Sequence, residues 1–385
     1  MISSVAHRLR QLQKNSSELS ARSLISGGLS WTGYQFSRSG YAFAPMSIKV
    51  GVNSVCNALC KTCDIGIKNE DSDFFKNLNR NGQTIDYDQL TKALDSVAPY
   101  RPKVLIDSTE PLLYKRLPEL VAHVKSSGMS CMVLTNGLRL PQTADDLVHA
   151  GLDQLGVSID GTAAVHDVVR GVPGMYNRIM DGLQKVADLR ERESRKTPSI
   201  RLNYVISSFS QDDMVPFIKE LIERKLPIER LTFYHLEYIS PEMAAEHNKQ
   251  VGHLIPVTAT NFFGSRPDEV DLGRLLHTIH AVEKIQAPFK IYWIPKLADE
   301  TALQNYYHNN RMIMTNSHCM APWYIMRINA DGEVNVIARC FNQSYGNIKN
   351  QTLMEIFNSP KMREFRQMLR QVGHFPACTR CCGIL

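Results

Sequence analysis

No run in this sequence approaches the length of a membrane-spanning helix. The N-terminus also lacks the shape of a secretory signal, because Ser, His, Arg and Gln interrupt the apolar residues between Met1 and Leu12. The expected location is therefore the cytoplasm. Successive segments share no period, which argues against a repeat solenoid. The histidines show no metal-ligand spacing. A strong excess of one charge is missing too, since 44 Lys and Arg stand against 38 Asp and Glu for a formal +6. What is present is the composition of an ordinary globular protein, 43% hydrophobic and 21% charged.

Strand-like apolar runs occur at residues 47–52, 103–107, 131–135, 154–159, 200–206 and 230–235. Helical periodicity fills the intervals. Leu117, Leu120, Val121 and Val124 follow the i, i+3, i+4, i+7 rule, and further helices are expected at 87–97, 144–150, 174–190, 212–224 and 272–285. Ser210 and Asp213 resemble a capping box for the fifth of these intervals. Six strands alternating with helices imply an α/β fold with a parallel sheet and right-handed crossovers, here a partial (β/α)6 TIM-like barrel. Ligands of such folds sit at the C-terminal ends of the strands. The organisation expected is an extension at 1–45, the barrel at 46–285, a connector at 286–317 and a small cysteine-rich module at 318–385. Residues 238–267 read as irregular.

Eight of the nine cysteines form two groups. Cys56, Cys60 and Cys63 lie just after the first strand, and Cys319, Cys340, Cys378 and Cys381 close the chain beside Cys382. In a reducing compartment such cysteines read as metal ligands or catalytic thiols rather than disulfides. Three thiolates leave one iron of a cubane open to an exogenous ligand, whereas four saturate a centre. Structural zinc is the alternative for each group, although zinc at the triplet would need a fourth ligand nearby. Two clusters held by seven cysteines would add roughly three negative charges. The balance then falls to about +3, too little for a nucleic-acid-binding protein.

The triplet and the residues that follow it resemble the radical S-adenosylmethionine (SAM) superfamily. Asp107-Ser108-Thr109-Glu110-Pro111 is similar to the family's Gly-Gly-Glu-Pro motif, with Ser108 and Thr109 in place of the glycines. Thr135-Asn136-Gly137 and Val157-Ser158-Ile159-Asp160-Gly161, with Arg170 beyond, also fit. The resemblance implies that Glu110 helps hold the SAM amino group, Ser158 the ribose and Arg170 the carboxylate, with Asn136 and Asn203 as further SAM-site residues. The C-terminal cysteines, with Ala330-Asp331-Gly332 and Tyr345-Gly346-Asn347, resemble a SPASM or Twitch module. Their number implies one auxiliary [4Fe–4S] cluster besides the SAM-binding [4Fe–4S] cluster.

The activity so implied is reductive cleavage of SAM to a 5′-deoxyadenosyl radical, which abstracts hydrogen from a C–H bond. A small or sugar-like substrate and net dehydrogenation or epimerisation are expected. Modification of a ribosomal peptide or protein side chain is the alternative enzyme, and a zinc or iron–sulfur binding module the non-catalytic one. An electron donor such as flavodoxin or ferredoxin follows from the chemistry. Cys381 and Cys382 compete for one ligand position, with Cys381 favoured. Cys131 and the one left over, Cys382 on that assignment, are candidate hydrogen-atom donors, with an ordinary core thiol the competing reading of Cys131. His235, Glu237 and Tyr238 are candidates at the substrate end of the last barrel strand. At the N-terminus, Ile2, Val5, Leu9 and Leu12 share one helical face beside Arg8, Arg10 and Lys14. That pattern suits either packing on the barrel or peripheral membrane contact, the latter with a lipid-linked substrate.

Overall fold

The computed structural model describes residues 28, 32–35, 37–78, 82–107, 109–313, 319–336 and 341–381. Its strands are β1 (Ser47–Val50), β2 (Lys103–Ile106), β3 (Ser130–Thr135), β4 (Gln154–Ser158), β5 (Ser199–Ile206), β6 (Ile228–His235), β7 (Lys290–Ile294), β8 (Ile325–Ile328), β9 (Glu333–Asn335) and β10 (Gly346–Asn347). They form one sheet in the order β10-β9-β8-β1-β2-β3-β4-β5-β6-β7. From β8 to β7 every pairing is parallel, and β9 and β10 add an antiparallel meander.

The helices are α1 (Asp73–Leu78), α2 (Tyr87–Asp95), α3 (Leu117–Ser126), α4 (Leu140–His149), α5 (Ala163–Arg170), α6 (Met175–Arg192), α7 (Met214–Arg224), α8 (Pro241–Val251), α9 (Leu272–Glu283), α10 (Glu300–His308), α11 (Leu353–Phe357) and α12 (Pro360–Val372). Period-2 alternation separates the two faces of the sheet. Ile48, Val50, Val104, Ile106, Met326 and Ile328 are fully buried on the outer face, which the crossover helices cover. Ser47, Lys49, Lys103, Leu105, Ser158 and Asn203 alternate with that buried set, on the inner, lumenal face.

The six expected strands are all present, but the sheet is larger than six. Residues 286–317, read as a connector, supply β7, paired in register with β6, and α10. The stretch read as irregular contains α8. The C-terminal module is not appended to the barrel but continues it, because β8 pairs with β1. The capping box at Ser210 does not form. Ser210 bonds to Ser207 and the Val205 carbonyl, while Asp213 begins α7 without a capping side-chain bond and accepts from the Thr162 amide at 2.5 Å. Two prolines follow cis peptide bonds, Thr197–Pro198 and Ile294–Pro295. No helix among the described residues is long and apolar enough to cross a membrane. The amphipathic N-terminal pattern lies outside the described residues.

Candidate active site

The loop carrying Cys56, Cys60 and Cys63 leaves β1 at its C-terminal end, where a parallel barrel binds its ligands. It is pinned to α5: the Leu59 amide donates to the Arg170 carbonyl at 2.9 Å and the Lys61 amide to the Val169 carbonyl at 2.8 Å. On the other side, Asp64 and Asn261 exchange two hydrogen bonds, 2.8 and 3.2 Å, which clamp the loop to the segment after α8. Cys60 is buried, and Cys56 and Cys63 are half-buried. Burial pushes the Cys56 thiol up to about 11, with the neighbouring Cys60 and Glu110 adding to the effect.

Polar groups of the barrel reach these sulfurs. Arg170 Nη1 lies 3.7 Å from Cys60 Sγ and its Nε 2.7 Å from Asp160 Oδ2. Asn136 Nδ2 lies 3.9 Å from Cys56 Sγ and 2.8 Å from Asn57 Oδ1. Glu110 is buried with its carboxylate occupied: Oε1 accepts from the Leu112 amide at 2.9 Å and Thr135 Oγ1 at 2.5 Å, and Oε2 from the Asn136 amide at 2.8 Å. A carboxylate has about four acceptor positions, so one of them stays open to an ammonium group. Burial raises the Glu110 pKa against the opposing pull of these donors. Asn53 holds the same turn by donating to the Glu110 carbonyl at 2.8 Å and accepting from Thr109 Oγ1 at 2.8 Å. Thr109, which stands in place of the second glycine of the similar motif, thus has a partner for its hydroxyl.

Ser158 and Asn203 are register neighbours on β4 and β5, both on the lumenal face. The expected SAM residues therefore gather around one mouth, but their tasks differ. Ser158 and Asn203 face the lumen, whereas Glu110, Asn136 and Arg170 chiefly knit the SAM-motif turn and the sulfurs together. Sequence reading missed Asn53 and Asp160, although both stand inside quoted or neighbouring motifs. Asp160 supports Arg170, and its Oδ1 accepts from the Val205 amide at 2.9 Å.

The remaining candidates move away from the mouth. Cys131 pairs with Val104 on the outer face, is fully buried, and has its thiol pushed up to about 12 by burial. It faces away from the lumen and is a core thiol there. His235 has the same parity on β6 as Phe233, which packs on Phe217 of α7 through Tyr204. Its Nδ1 shares a 2.8 Å hydrogen bond with the Tyr307 hydroxyl of α10, and burial pulls the imidazole down to about 3. Tyr238 donates to Asn310 Oδ1 at 3.2 Å and the Tyr306 carbonyl at 3.3 Å, beneath the C-terminal module. His235 thus faces away from the lumen, and the Tyr238 ring also packs on Phe262, next to the Asn261 that clamps the cysteine loop. Glu237 is half-buried.

In the C-terminal module, Cys319 and Cys378 are buried and Cys381 half-buried. Burial raises the Cys378 thiol well above its ordinary value, and the nearby Cys381 and Cys319 raise it further. Cys340, Cys382 and Ser108 lie outside the described residues. Among the described residues, no three His, Cys, Asp or Glu side chains stand where one ion would hold them. A polynuclear cluster takes its thiolates on different irons, so its donors stand further apart than those of one zinc. The two sulfur sets, the first of them approached by Arg170 and Asn136 as donors, fit iron–sulfur clusters.

Comparison with known proteins agrees. Residues 51–200 match the model of the radical SAM superfamily, and residues 319–382 match SPASM, an iron–sulfur cluster-binding domain. Fe-coproporphyrin III synthase of Methanosarcina barkeri is 30% identical over 171 residues, 42% of this chain and 41% of that protein. An AdoMet-dependent heme synthase of Nitratidesulfovibrio vulgaris is 33% identical over 89 residues, 23% and 24% of the two chains. The GTP 3′,8-cyclase of Marinobacter nauticus is 27% identical over 182 residues, 46% and 50% of the two. The chain thus spans half the length or less of these relatives. Among solved structures, SuiB of Streptococcus suis aligns over 100% of this chain and 84% of its own, with TM-score 0.60 and 13% identity. The anSMEcpe structure with bound AdoMet and a Cp18Cys peptide aligns over 83% and 82%, with TM-score 0.54 and 17% identity. These two show a shared fold.

Proposed function

Because the chain belongs to the radical SAM superfamily and carries a C-terminal SPASM domain, we propose that it abstracts a hydrogen atom from a C–H bond of a small or sugar-like biosynthetic substrate. Its cofactors are SAM, a [4Fe–4S] cluster at the first cysteine group and an auxiliary iron–sulfur cluster at the second. When bound, the first cluster and SAM supply the carbon-centred radical that attacks the substrate. The chain's own residues hold and orient. Cys56, Cys60 and Cys63 ligate the cluster, Ser158 and Asn203 face SAM from the strands, and Glu110 fixes the turn whose open acceptor takes the SAM amino group. Arg170 steadies Cys60, and the lumen below receives the substrate.

The observation that carries this reading is the meeting of the cysteine loop, the Glu110 turn and the Ser158–Asn203 pair at one end of the sheet. Relatives named as heme synthases and a GTP cyclase support a small molecule. Of the described cysteines, Cys131 alone stands outside the two ligand sets, and it faces outward. That removes one thiol route for returning hydrogen and favours dehydrogenation. Cys319, Cys378 and Cys381, with Cys340, would hold an auxiliary cluster that supplies an electron acceptor, and a flavodoxin or ferredoxin would be the external electron donor. Peptide modification is the second reading, for which the SuiB complex with its precursor peptide SuiA is a fold-level parallel.

The test is anaerobic purification followed by analysis of iron, sulfide and 5′-deoxyadenosine. A brown protein with about eight iron and eight sulfide per chain is expected. Cys56→Ala, Cys60→Ala or Cys63→Ala each abolishes deoxyadenosine formation, while Cys319→Ala and Cys378→Ala spare most of it. A colourless, zinc-replete protein inert toward SAM would sink the reading.

A further inference from the structure

The lumen has a charged corner built jointly by the barrel and the C-terminal module. Strand β8 runs parallel to β1, and Arg327 lies beside Lys49, which in turn lies beside Leu105 on β2. Their neighbours along each strand, Ile48, Val50, Met326 and Ile328, are fully buried on the outer face, so Lys49 and Arg327 face inward. Asp107, directly after β2, accepts from Arg327 Nη1 at 2.6 Å and lies 4.0 Å from Lys49 Nζ. Arg327 Nε donates to Asn329 Oδ1 at 3.3 Å. The Arg327 side chain is only 4% exposed, yet Nη2 has no hydrogen-bond partner.

Charge counting around this corner leaves a surplus. Two cations share one carboxylate, and a carboxylate satisfies only part of a guanidinium and an ammonium group. Lys103 Nζ donates to the neutral Gln154 Oε1 at 2.5 Å, Arg201 is paired with Glu229 at 3.1 Å, and Arg230 adds a further cation beside Arg201. A buried donor without a partner is costly, and for a charged group more so. Nη2 of Arg327, together with the ammonium of Lys49, is therefore open to an oxyanion. Gly51 leaves room for it: a Cβ there would lie 3.4 Å from Nη2.

We propose that Arg327 and Lys49 form a substrate subsite that binds an oxyanion, a carboxylate or a phosphate, of the molecule that enters the lumen. This rests on the reading of the lumen as the substrate chamber. It gives the C-terminal module a second task, substrate recognition through β8, independent of its cluster. Asp107 tunes the subsite: it orients the guanidinium through Nη1 and competes with the incoming anion for charge.

Calorimetric titration of the SAM-saturated holoenzyme tests the proposal, using inorganic phosphate and succinate as separate probes at constant ionic strength. One saturable site is expected, and the probe that binds more tightly identifies the anion class. Arg327→Gln and Lys49→Gln should each weaken binding by tenfold or more, whereas Lys349→Gln on the surface should leave it unchanged. Asp107→Asn should tighten binding several-fold, an effect opposite in sign to that of misfolding. Circular dichroism and iron content confirm that each variant is folded and loaded. SAM affinity and uncoupled deoxyadenosine formation, measured on the same samples, report the proposed function separately. The subsite is refuted if neither probe saturates, if the Arg327 and Lys49 variants bind like the wild type, or if SAM affinity falls in parallel with anion binding. The last result would assign the corner to the carboxylate of SAM itself.

Discussion

Arg170 shows how one side chain can serve both cofactor chemistry and architecture. Its Nε is committed to Asp160, and Nη1 approaches the sulfur of Cys60. Cluster potentials depend on net charge and on hydrogen bonds to the sulfurs. Both effects of Arg170 favour the reduced, more negative cluster. Replacing Arg170 by Met should lower the midpoint of the SAM cluster by roughly 50 mV, and Arg170→Lys should fall between. Redox titration followed by electron paramagnetic resonance checks this, and an unchanged midpoint in an iron-replete Met variant would refute it. The sequence resemblance pointed to Arg170 as a holder of the SAM carboxylate; its contacts to Asp160 and Cys60 were not legible there. Likewise, Glu110 was legible as a site candidate, but not that Leu112, Thr135 and Asn136 would occupy three of its acceptor positions. Those donors belong to a turn and to the loop after another strand, and their aim depends on tertiary register rather than on local pattern.

At the scale of elements, the cysteine loop depends on the end of α5. Gly171 caps that helix at φ +66°, and a Cβ placed on it would lie 2.7 Å from the Leu59 carbonyl oxygen. Gly174, three residues on, also has a positive φ, +75°, but nothing lies within 4 Å of its virtual Cβ. The pair separates backbone strain from collision. Gly171→Ala and Gly174→Ala should both cost about 1 kcal/mol of stability through the left-handed conformation. Only Gly171→Ala should also displace the loop and lower iron content at the first cluster. Urea midpoints and iron analysis of both variants decide the matter, and equal iron loss in the two would remove the collision argument.

Element identity was mostly legible in the sequence, because strands buried under helices and amphipathic helices each leave their own period. The misses have physical causes. Strand β7 is five residues long, exposed at Lys290 and half-buried at the other four, without a clean alternation. Strand β8 sits in a module that reads as separate until its pairing with β1 is seen. The outward face of His235 and Cys131 follows from strand parity, which a shift of one residue would reverse.

Across the whole molecule, the two cysteine groups are mechanically one body. Arg380, between Cys378 and Cys381, donates to the carbonyls of Asn305, Asn309 and Met312 and so closes the end of α10. Asn358 exchanges hydrogen bonds of 2.9 Å with the backbone of Ala42, and Arg366 Nη1 donates to the Gly40 carbonyl at 3.2 Å, which ties the segment before β1 to the C-terminal module.

Buried histidines are distributed through the same body, and they set its response to acid. His166 lies under the barrel mouth with its Nδ1 accepting from the Asp160 amide at 3.0 Å, and burial pulls it down to about 2. His235 is pulled down to about 3 between β6 and α10, and His247 is lowered against Phe341 and Phe375 of the C-terminal module. Each is neutral when folded and takes up a proton when unfolded below its ordinary value of about 6.5. The unfolded chain then binds more protons, so stability is complete above that value and is lost as pH falls below it. Well below pH 6.5, His166 and His235 each steepen the loss by about 1.4 kcal/mol per pH unit, and His247 acts in the same direction. His235→Asn keeps a hydrogen-bonding group opposite Tyr307 but cannot titrate. The gap in thermal midpoint between wild type and His235→Asn, both with clusters loaded, should therefore shrink from pH 7.5 to pH 5.5. Taking the difference cancels acid damage to the clusters, which both proteins share. A gap independent of pH would show that His235 does not contribute to acid sensitivity, and would return it to the set of groups that titrate in the folded state.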